Sequence, residues 1–172
     1  IAKAFPSRKG LRYTFSALDG GYFNNAFAVS FSDGFRTALK ISPTADVKVM
    51  AHERNIMEAE VEAIRLVRLK TSVPAPEIYF YDKSKAEIPS EYFFMEFIDG
   101  EPLDKAAKAL NPDELFAIDL RTAECVREMA EITGTRFGFF SQPEKQRKSW
   151  RQFFWLALCL IIEDGISVNA DF

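Results

Sequence analysis

Lys40 is the last polar residue of the run "FRTALKI", in which apolar and polar residues alternate, and it stands between two apolar neighbours. An ammonium group that is buried without a partner costs several kcal/mol, so Lys40 is either exposed or paired with an anion. Our candidate anion is the carboxylate of Glu60, which lies 20 positions further along the chain. Such a lysine can bind the phosphates of a nucleotide while the glutamate holds the lysine in place.

Three other glutamates compete for this role: Glu53, Glu58 and Glu62. Glu60 is preferred because three apolar residues share its helix face and turn that face toward the sheet. They lie three, four and seven positions after it: Ala63, Ile64 and Val67. The alternative, which spacing does not exclude, is a solvated lysine at a strand end and a solvated row of helix carboxylates.

A pair of glycines, Gly20 and Gly21, precedes the strand-like run "AFAVSF". Glycine lets the backbone approach phosphate oxygens closely, although a glycine pair by itself is more often an ordinary turn. A glycine turn between two strands, a strand that ends in lysine and a helix that carries glutamate are the parts that the small lobe of kinases uses in phosphoryl transfer. Their order predicts a local phosphate site.

The elements that must position these residues begin with an antiparallel sheet. Five runs have the alternation or the aromatic and β-branched content of strands: "YTFSAL", "AFAVSF", "FRTALKI", "IYFY" and "YFFMEFI". The polar turn "SDG" joins the second and third runs as a hairpin. Between the third and fourth runs, apolar residues from Val49 to Leu69 recur near helical spacing, which predicts an amphipathic helix in one or two pieces.

Two further helices are predicted after the sheet. Asn111 can cap a helix that begins with Pro112 and carries acids in its first turn. This helix should run to about Thr133 and stop at Gly134. A last helix begins at Ser149 in "SWRQFFWLALCLIIEDG". Its apolar residues surround the axis, so we expect a buried helix, and its apolar run is about half as long as a membrane span.

The composition indicates one globular unit and excludes several partners. The chain has 172 residues, 48% of them hydrophobic, and its net charge of −3 gives no general attraction to nucleic acid or anionic lipid. The two cysteines, Cys125 and Cys159, lack metal-ligand spacing and are predicted to be buried free thiols, which fits a reducing cytoplasm. The single histidine, His52, is expected at the solvated surface, and we predict no metal site.

Five segments carry a more specific signal: "GGYFNNAFAV", "DGFRTALKISP", "AEVEAIRLV", "VPAPEIYFYD" and "YFFMEFIDGEPL". In this order they resemble the aminoglycoside phosphotransferase family of small-molecule kinases over most of residues 15–165. The resemblance implies an α+β fold, with a protein-kinase-like N-terminal lobe made of an antiparallel sheet and one long helix. The first helices of an incomplete helical C-terminal lobe would follow. We place the nucleotide-binding lobe at 1–98 and the hinge and truncated helical lobe at 99–172.

The resemblance also implies roles for single residues. The candidate catalytic residues are Lys40, against the α- and β-phosphates of ATP, and its partner Glu60. The adenine edge would meet the carbonyl of Glu96 and the amide of Ile98. The candidate nucleotide-binding residues are together Gly20, Gly21, Asn24, Lys40, Pro74, Met95, Glu96 and Ile98. Asn24 is equally well explained as a turn residue, and Met95 as a core residue.

The catalytic segment of the family, a His-Gly-Asp followed by an Asn and a later metal-binding Asp, has no counterpart in this sequence. We therefore expect the ATP-binding part of a phosphotransferase, with Mg²⁺ implied by the family but its ligands absent. The complete enzyme would transfer the γ-phosphoryl group of ATP to a hydroxyl or amine of a small molecule. The alternative is a non-catalytic nucleotide-binding remnant or an interaction module. The apolar helix at 150–164 is expected to promote self-association.

Overall fold

The computed structural model describes residues 1–18 and 24–170 of the chain. The predicted loop glycines, Gly20 and Gly21, lie outside the described residues. The strands are β1 (Tyr13–Ala17), β2 (Asn25–Phe31), β3 (Arg36–Ile41), β4 (Ile78–Asp82) and β5 (Tyr92–Glu96). The helices are α1 (Ile56–Lys70), α2 (Leu103–Ala106), α3 (Pro112–Ala130) and α4 (Trp150–Ser167).

The strands form one five-stranded sheet in the order β1-β2-β3-β5-β4, in which every pair of neighbours is antiparallel. A tight turn joins β2 to β3, and Gly34 in this turn has a φ of 88°, a left-handed conformation that glycine adopts without steric cost. The register places Lys40 on β3 opposite Ala26 of β2 and Phe93 of β5. Lys40 therefore lies on an interior strand of the sheet.

The N-terminal segment covers one face of the sheet. The buried residues of this face are Phe5, Val29, Phe31, Tyr92 and Phe94. Phe5 meets Phe31 and Phe94 edge-on, with ring centroids 5.6 and 5.1 Å apart, a geometry that aromatic pairs favour. Lys3 of the same segment donates a hydrogen bond to the buried carboxylate of Asp82, on β4, at 2.5 Å. The segment is thus held by both packing and an ion pair.

The other face of the sheet carries α1. Met57 and Val61, which lie one helical turn apart, pack against Phe93, and all three side chains are almost fully buried. A 3₁₀ turn at Ala51–Glu53 precedes the helix. Asn55, between the turn and α1, has a φ of 57°, a left-handed conformation that interrupts a right-handed helix. The helical stretch predicted between Val49 and Leu69 is therefore in two pieces.

The described residues from 99 onward, here called the C-terminal half, form helices α2, α3 and α4, of which α3 and α4 were predicted. The Asn111 side chain accepts hydrogen bonds from the N–H groups of Asp113 and Glu114, and the Glu114 carboxylate accepts from the Asn111 N–H, so α3 begins with a complete capping box. At the start of α4, the Ser149 hydroxyl accepts from the backbone of Gln152. α3 ends at Ala130, three residues before the predicted end, where β-branched residues and then a glycine follow.

The α+β class is confirmed, since an antiparallel sheet with one long helix on it is followed by further helices. The boundary near residue 98 stays a prediction. The prediction of buried cysteines was wrong in part: Cys125 and Cys159 are free but only half-buried, because they lie on α3 and α4, helices with little packed against them. No helix in the described ranges is long and apolar enough to cross a membrane.

Candidate functional site

The structure pairs Lys40 with Glu60. The ammonium of Lys40 donates a hydrogen bond to Oε1 of Glu60, and the two side chains are 26% and 29% exposed. Hydrogen bonds between charged groups are stronger than neutral ones, and partial burial reduces their screening by solvent. Because neither group is fully buried, a ligand can still reach the ammonium from the solvent side.

Packing of α1 explains why Glu60 reaches Lys40. Met57 and Val61 fix the helix over Phe93, and Glu60, three positions after Met57, lies on the same side of the helix as Met57. The ring of Phe93 lies directly opposite Lys40 in the register, with the ammonium 5.9 Å from its centroid. One aromatic side chain thus anchors the helix and borders the lysine.

The predicted reason for choosing Glu60 was only partly correct. Ile64 and Val67 are half-buried, but Ala63 is exposed. The residues that orient the helix are Met57 and Val61, whose spacing of four positions marks the buried stripe. The sequence already contained this stripe.

The three competing glutamates have other partners. Glu53 accepts a hydrogen bond from the backbone N–H of Met50, at 2.7 Å, and so stabilises the 3₁₀ turn. Glu58 accepts from Lys83 at 2.6 Å, and this hydrogen bond raises the pKa of the lysine above its ordinary value. Glu62 accepts from Arg65 on α1 itself, at 2.8 Å. Each carboxylate is therefore directed away from Lys40.

Asn24 extends the ion pair toward the start of β2. Its amide nitrogen lies 3.4 Å from Oε2 of Glu60, so the two oxygens of that carboxylate face two different donors. Its Oδ1 atom is buried and has no partner among residues 1–18 and 24–170. Of the predicted phosphate loop, only Asn24 belongs to the described residues, and it adjoins the Lys40–Glu60 pair.

A row of small residues lies beside Lys40 on the same face of the sheet, and the sequence-based assignment missed it. Strand side chains alternate, so Ala38 on β3 shares the face of Lys40, and the register adds Ala26 and Ala28 from β2. α1 packs further along this face, over β4 and β5. The signals for this row were the alternating alanines in "AFAV" and the alanine two positions before Lys40 in "TALK".

The end of β5 and the connector that follows it, residues 97–102, contain Glu96 and Ile98, which are predicted to meet the adenine edge. The N–H of Glu96 donates to the carbonyl of Glu77 at 2.8 Å, and the Glu96 carboxylate accepts from the N–H of Glu77 at 3.1 Å. The N–H of Ile98 donates to no backbone carbonyl in the part of the chain that the structure describes. Pro74, Glu96 and Ile98 line one cleft of about 650 Å³. Glu96 is thus held at the end of β5, whereas the Ile98 N–H has no backbone acceptor among the described residues.

Met95 lies between these two groups of residues. Met95 is paired with Ala38 in the register. This pair is next to the pair of Lys40 and Phe93 on the same face of the sheet. It also packs against the α1 cluster, as its reading as a core residue predicted. It therefore closes the inner end of the alanine surface.

The candidate metal ligands among the described residues are His, Cys, Asp and Glu side chains. Among residues 1–18 and 24–170, no cluster of three or more His, Cys, Asp and Glu side chains could hold a metal ion. The Mg²⁺ implied by the sequence resemblance is accordingly assigned no ligands.

A protein family and two curated relatives match most of the chain. A sequence model described as the phosphotransferase enzyme family matches residues 14–164. A subtelomeric hrmA-associated cluster protein of Aspergillus fumigatus strain CBS 144.89 is 27% identical over 135 residues, which cover 78% of this chain and 25% of that protein. Its counterpart in strain ATCC MYA-4609 is 28% identical over 122 residues, covering 70% of this chain and 23% of that protein. The chain thus spans about a quarter of the length of these curated relatives.

A solved structure also resembles the chain. A crystal structure named as that of a fructosamine-3-kinase from Thermobifida fusca YX-ER1 superposes with a TM-score of 0.41 and 17% sequence identity. The superposition covers 59% of this chain and 31% of the other.

Proposed function

The chain belongs to the phosphotransferase enzyme family, and we propose that it is the ATP-binding part of a kinase that phosphorylates a small molecule. The complete protein would transfer the γ-phosphoryl group of ATP to a hydroxyl or amine of the acceptor. This proposal extends beyond the chain itself, which spans about a quarter of its curated relatives. We place the protein in the cytoplasm, where ATP is abundant and free thiols such as Cys125 and Cys159 persist.

The Lys40–Glu60 pair carries the proposal. A lysine ammonium has three donors, and Glu60 is the hydrogen-bond acceptor of Lys40 in the described part of the chain. The remaining donors can bind phosphate oxygens from the exposed side. Glu60 fixes the ammonium in position, so that little side-chain entropy remains to be lost when phosphate binds. Positioning and charge neutralisation of this kind are the main contributions of a protein to phosphoryl transfer.

The alanine surface and the connector fit the base of a nucleotide. Ala26, Ala28 and Ala38 are small apolar residues on the face of the sheet that carries the ammonium. Ala26 is half-buried and the other two are buried, so a base would contact this face mainly near Ala26. At the connector, the free N–H of Ile98 can donate to a ring nitrogen, and the carbonyl of Glu96 can accept from an amino group. ATP would supply the phosphoryl group, and Lys40, Glu60, Ile98 and Glu96 are the residues of this chain that would hold it.

The proposal assigns no acceptor-binding residue, no catalytic base and no metal ligand to this chain. A non-catalytic nucleotide-binding remnant would use the same contacts to ATP, and the absence of a His-Gly-Asp segment from the sequence favours that second candidate for the isolated chain. The two candidates share the binding site and differ in turnover.

Nucleotide binding by Lys40→Ala tests the shared part. We expect this change to weaken ATP binding about 10- to 100-fold, as expected for the loss of charge-assisted hydrogen bonds, and to leave adenosine binding unchanged because adenosine has no phosphates. Lys70→Ala removes the same charge from the exposed end of α1 and should leave the affinity for ATP unchanged. Isothermal titration calorimetry on the three proteins gives both dissociation constants.

Two results would contradict the proposal. The first is a wild-type chain that binds ATP no more tightly than adenosine, because the phosphates would then make no contact. The second is an equal loss of ATP affinity in Lys40→Ala and Lys70→Ala, because the effect would then come from net charge alone.

A further inference from the structure

Both backbone groups of Ala51, in the 3₁₀ turn before α1, are bonded to side chains from the C-terminal half. The N–H of Ala51 donates to Oδ2 of Asp164, on α4, at 2.8 Å. The carbonyl of Ala51 accepts from the side-chain amide of Gln142 at 2.7 Å. Ala51 is 5% exposed, Gln142 is 2% exposed and Asp164 is half-buried, so the bond from Gln142 is the better shielded from water. A short turn is thus held from both sides by residues about 90 to 110 positions away in the chain.

Packing and a further bond reinforce this attachment. The rings of His52 and Phe139 are 6.4 Å apart, and Phe139 meets the buried Phe153 of α4 edge-on at 5.0 Å. Lys48 donates to the carbonyl of Ser167, at the end of α4, at 3.0 Å. The turn therefore lies against α4.

The turn is connected to Glu60 by a short and constrained path. Only Arg54 and Asn55 separate the turn from α1. Asn55 has the left-handed φ of 57°, and its carbonyl accepts from the N–H of Ala59 at 3.1 Å. Ala59 is the residue before Glu60. Two residues thus link the turn to α1, and Glu60 lies in the second turn of that helix.

We propose that Gln142 and Asp164 are positioning residues that hold the 3₁₀ turn and thereby keep Glu60 in contact with Lys40. Neither residue contacts the ion pair itself. Their effect passes through the backbone of Ala51 and the start of α1. The consequence of this positioning for nucleotide binding rests on the proposed function, in which Glu60 fixes the Lys40 ammonium that binds phosphate. Loss of either residue would then weaken ATP binding and leave adenosine binding unchanged.

The closure of the ion pair can be measured without nucleotide, through the reactivity of the Lys40 amine toward acetic anhydride. Mass spectrometry would compare the labelling of Lys40 with that of Lys3, which is paired with Asp82 at the opposite face of the sheet. Asp164→Ala and Gln142→Met each remove one bond to Ala51, and we expect the Lys40-to-Lys3 ratio to rise about 2- to 10-fold, the factor that one lost hydrogen bond gives.

Two control variants separate positioning from general disturbance of α4. Asp164→Asn keeps a side-chain oxygen that can accept from Ala51, so its ratio should stay close to that of the wild type. Glu163→Ala removes a neighbouring carboxylate that is exposed on α4 and should have no effect. General unfolding would raise the labelling of Lys3, which is 51% exposed, as well as that of Lys40, which is 26% exposed. A rise in the ratio therefore supports positioning only where Lys3 labelling stays at its wild-type level, and a rise that comes with raised Lys3 labelling counts against it.

An unchanged ratio in both Asp164→Ala and Gln142→Met overturns the proposal, whether the variants are folded or unfolded. So does a rise in Glu163→Ala equal to that in Asp164→Ala. ATP titration of the same proteins separates this proposal from the function on which it rests. If the labelling ratio rises in the variants but the wild-type chain does not bind ATP, the positioning role is supported and the proposed function is contradicted. If the ratio is unchanged and ATP binding depends on Lys40, the proposed function is supported and the positioning role is contradicted.

Discussion

The N-terminal half of the chain, residues 1–98, contains almost all of the buried apolar residues, whereas the C-terminal half leaves most of its apolar residues exposed. Val29, Val61, Phe93 and Phe94 are at most 1% exposed, and both hydrophobic clusters of the described residues lie in the first 98 positions. In the described part of the C-terminal half, Phe153 is the one apolar residue in the buried class. Large exposed apolar residues there include Phe116, Leu120, Phe154, Trp155, Ile161 and Ile162.

The difference follows from geometry more than from composition. A sheet has two faces, and here each face has a cover: the N-terminal segment on one side and α1 on the other. Two helices can bury only the stripes along which they touch, and the apolar residues of α4 surround its axis. Apolar content alone does not make a core; each apolar face also needs a partner.

The two halves are joined mainly by polar contacts at the ends of α1. At its start lie the bonds to Ala51, and beyond its end the N–H and hydroxyl of Ser72 donate to the carboxylate of Glu128 on α3. The side-chain hydrogen bond from Ser72 lowers the pKa of Glu128 below its ordinary value. α1 is therefore packed on the sheet and attached to the helical half at both ends.

The largest expected effect tests the contrast in burial. Phe93→Ala should lower the free energy of unfolding by about 3–5 kcal/mol, because it removes a fully buried ring and leaves a cavity. Phe154→Ala makes the same chemical change on α4, where the ring is 56% exposed, and should cost less than about 0.5 kcal/mol. Urea unfolding monitored by circular dichroism measures both. Equal losses would show that the two halves share one core.

The sequence alone predicted the strands, the order of the elements, the cap of α3 and the start of α4, because these depend on local patterns such as alternation and the Asn-Pro-Asp-Glu helix start. It also led to the Lys40–Glu60 pair, through spacing and resemblance. Sequence patterns did not predict the contact of Ala51 with Gln142 and Asp164, since such a contact depends on how distant segments pack. The half-burial of Cys125 and Cys159 was missed for the same reason.

A smaller effect is expected on acidification and belongs to the N-terminal half. Hydrogen bonds from the Lys3 side chain, the largest cause, and from Ser84 hold the pKa of Asp82 well below its ordinary value. A lowered pKa in the folded state stabilises the fold above the ordinary carboxyl pKa of about 3.9, and this stabilisation is lost as the pH falls from there toward the folded pKa.

Asp82→Asn should therefore destabilise the chain at about pH 6, and its difference from the wild type should shrink between about pH 5 and pH 2. Urea midpoints at each pH measure this difference. Asp104→Asn, a change of an exposed carboxylate on α2, should leave the pH profile of the wild type unaltered. A constant difference between Asp82→Asn and the wild type at all pH values would contradict the role of the ion pair.

A third, weaker effect depends on protein concentration and concerns the C-terminal half. We propose that the exposed apolar residues of α4 cause self-association, since monomeric proteins rarely expose patches of this kind. Trp155, which is 68% exposed, is the test position. Light scattering at about 50 µM should give an average mass above the 19.6 kDa of one chain, and Trp155→Glu should lower it.

Gln152→Glu is the matched control, because it adds the same charge at an exposed polar position of α4 and should leave the average mass unchanged. A wild-type chain that stays monomeric at this concentration would show that the exposed helix faces do not associate. The greater exposure of apolar residues in the C-terminal half would then not lead to self-association of the chain.

The last prediction is that ATP turnover by this chain does not exceed the background rate. Turnover would need residues from both halves. The N-terminal half contributes Lys40 and Glu60, but the only histidine of the chain, His52, is followed by Glu53, so the family's His-Gly-Asp segment is absent from this sequence. Absence of a catalytic base and of metal ligands adds several kcal/mol to the barrier of phosphoryl transfer.

A preparation shown by calorimetry to bind ATP should therefore release ADP at the background rate, and Lys40→Ala should release it at the same rate. Turnover above background that disappeared in Lys40→Ala would mean that the residues present already suffice for transfer to water or to an added acceptor, and the chain would then be an enzyme in its own right.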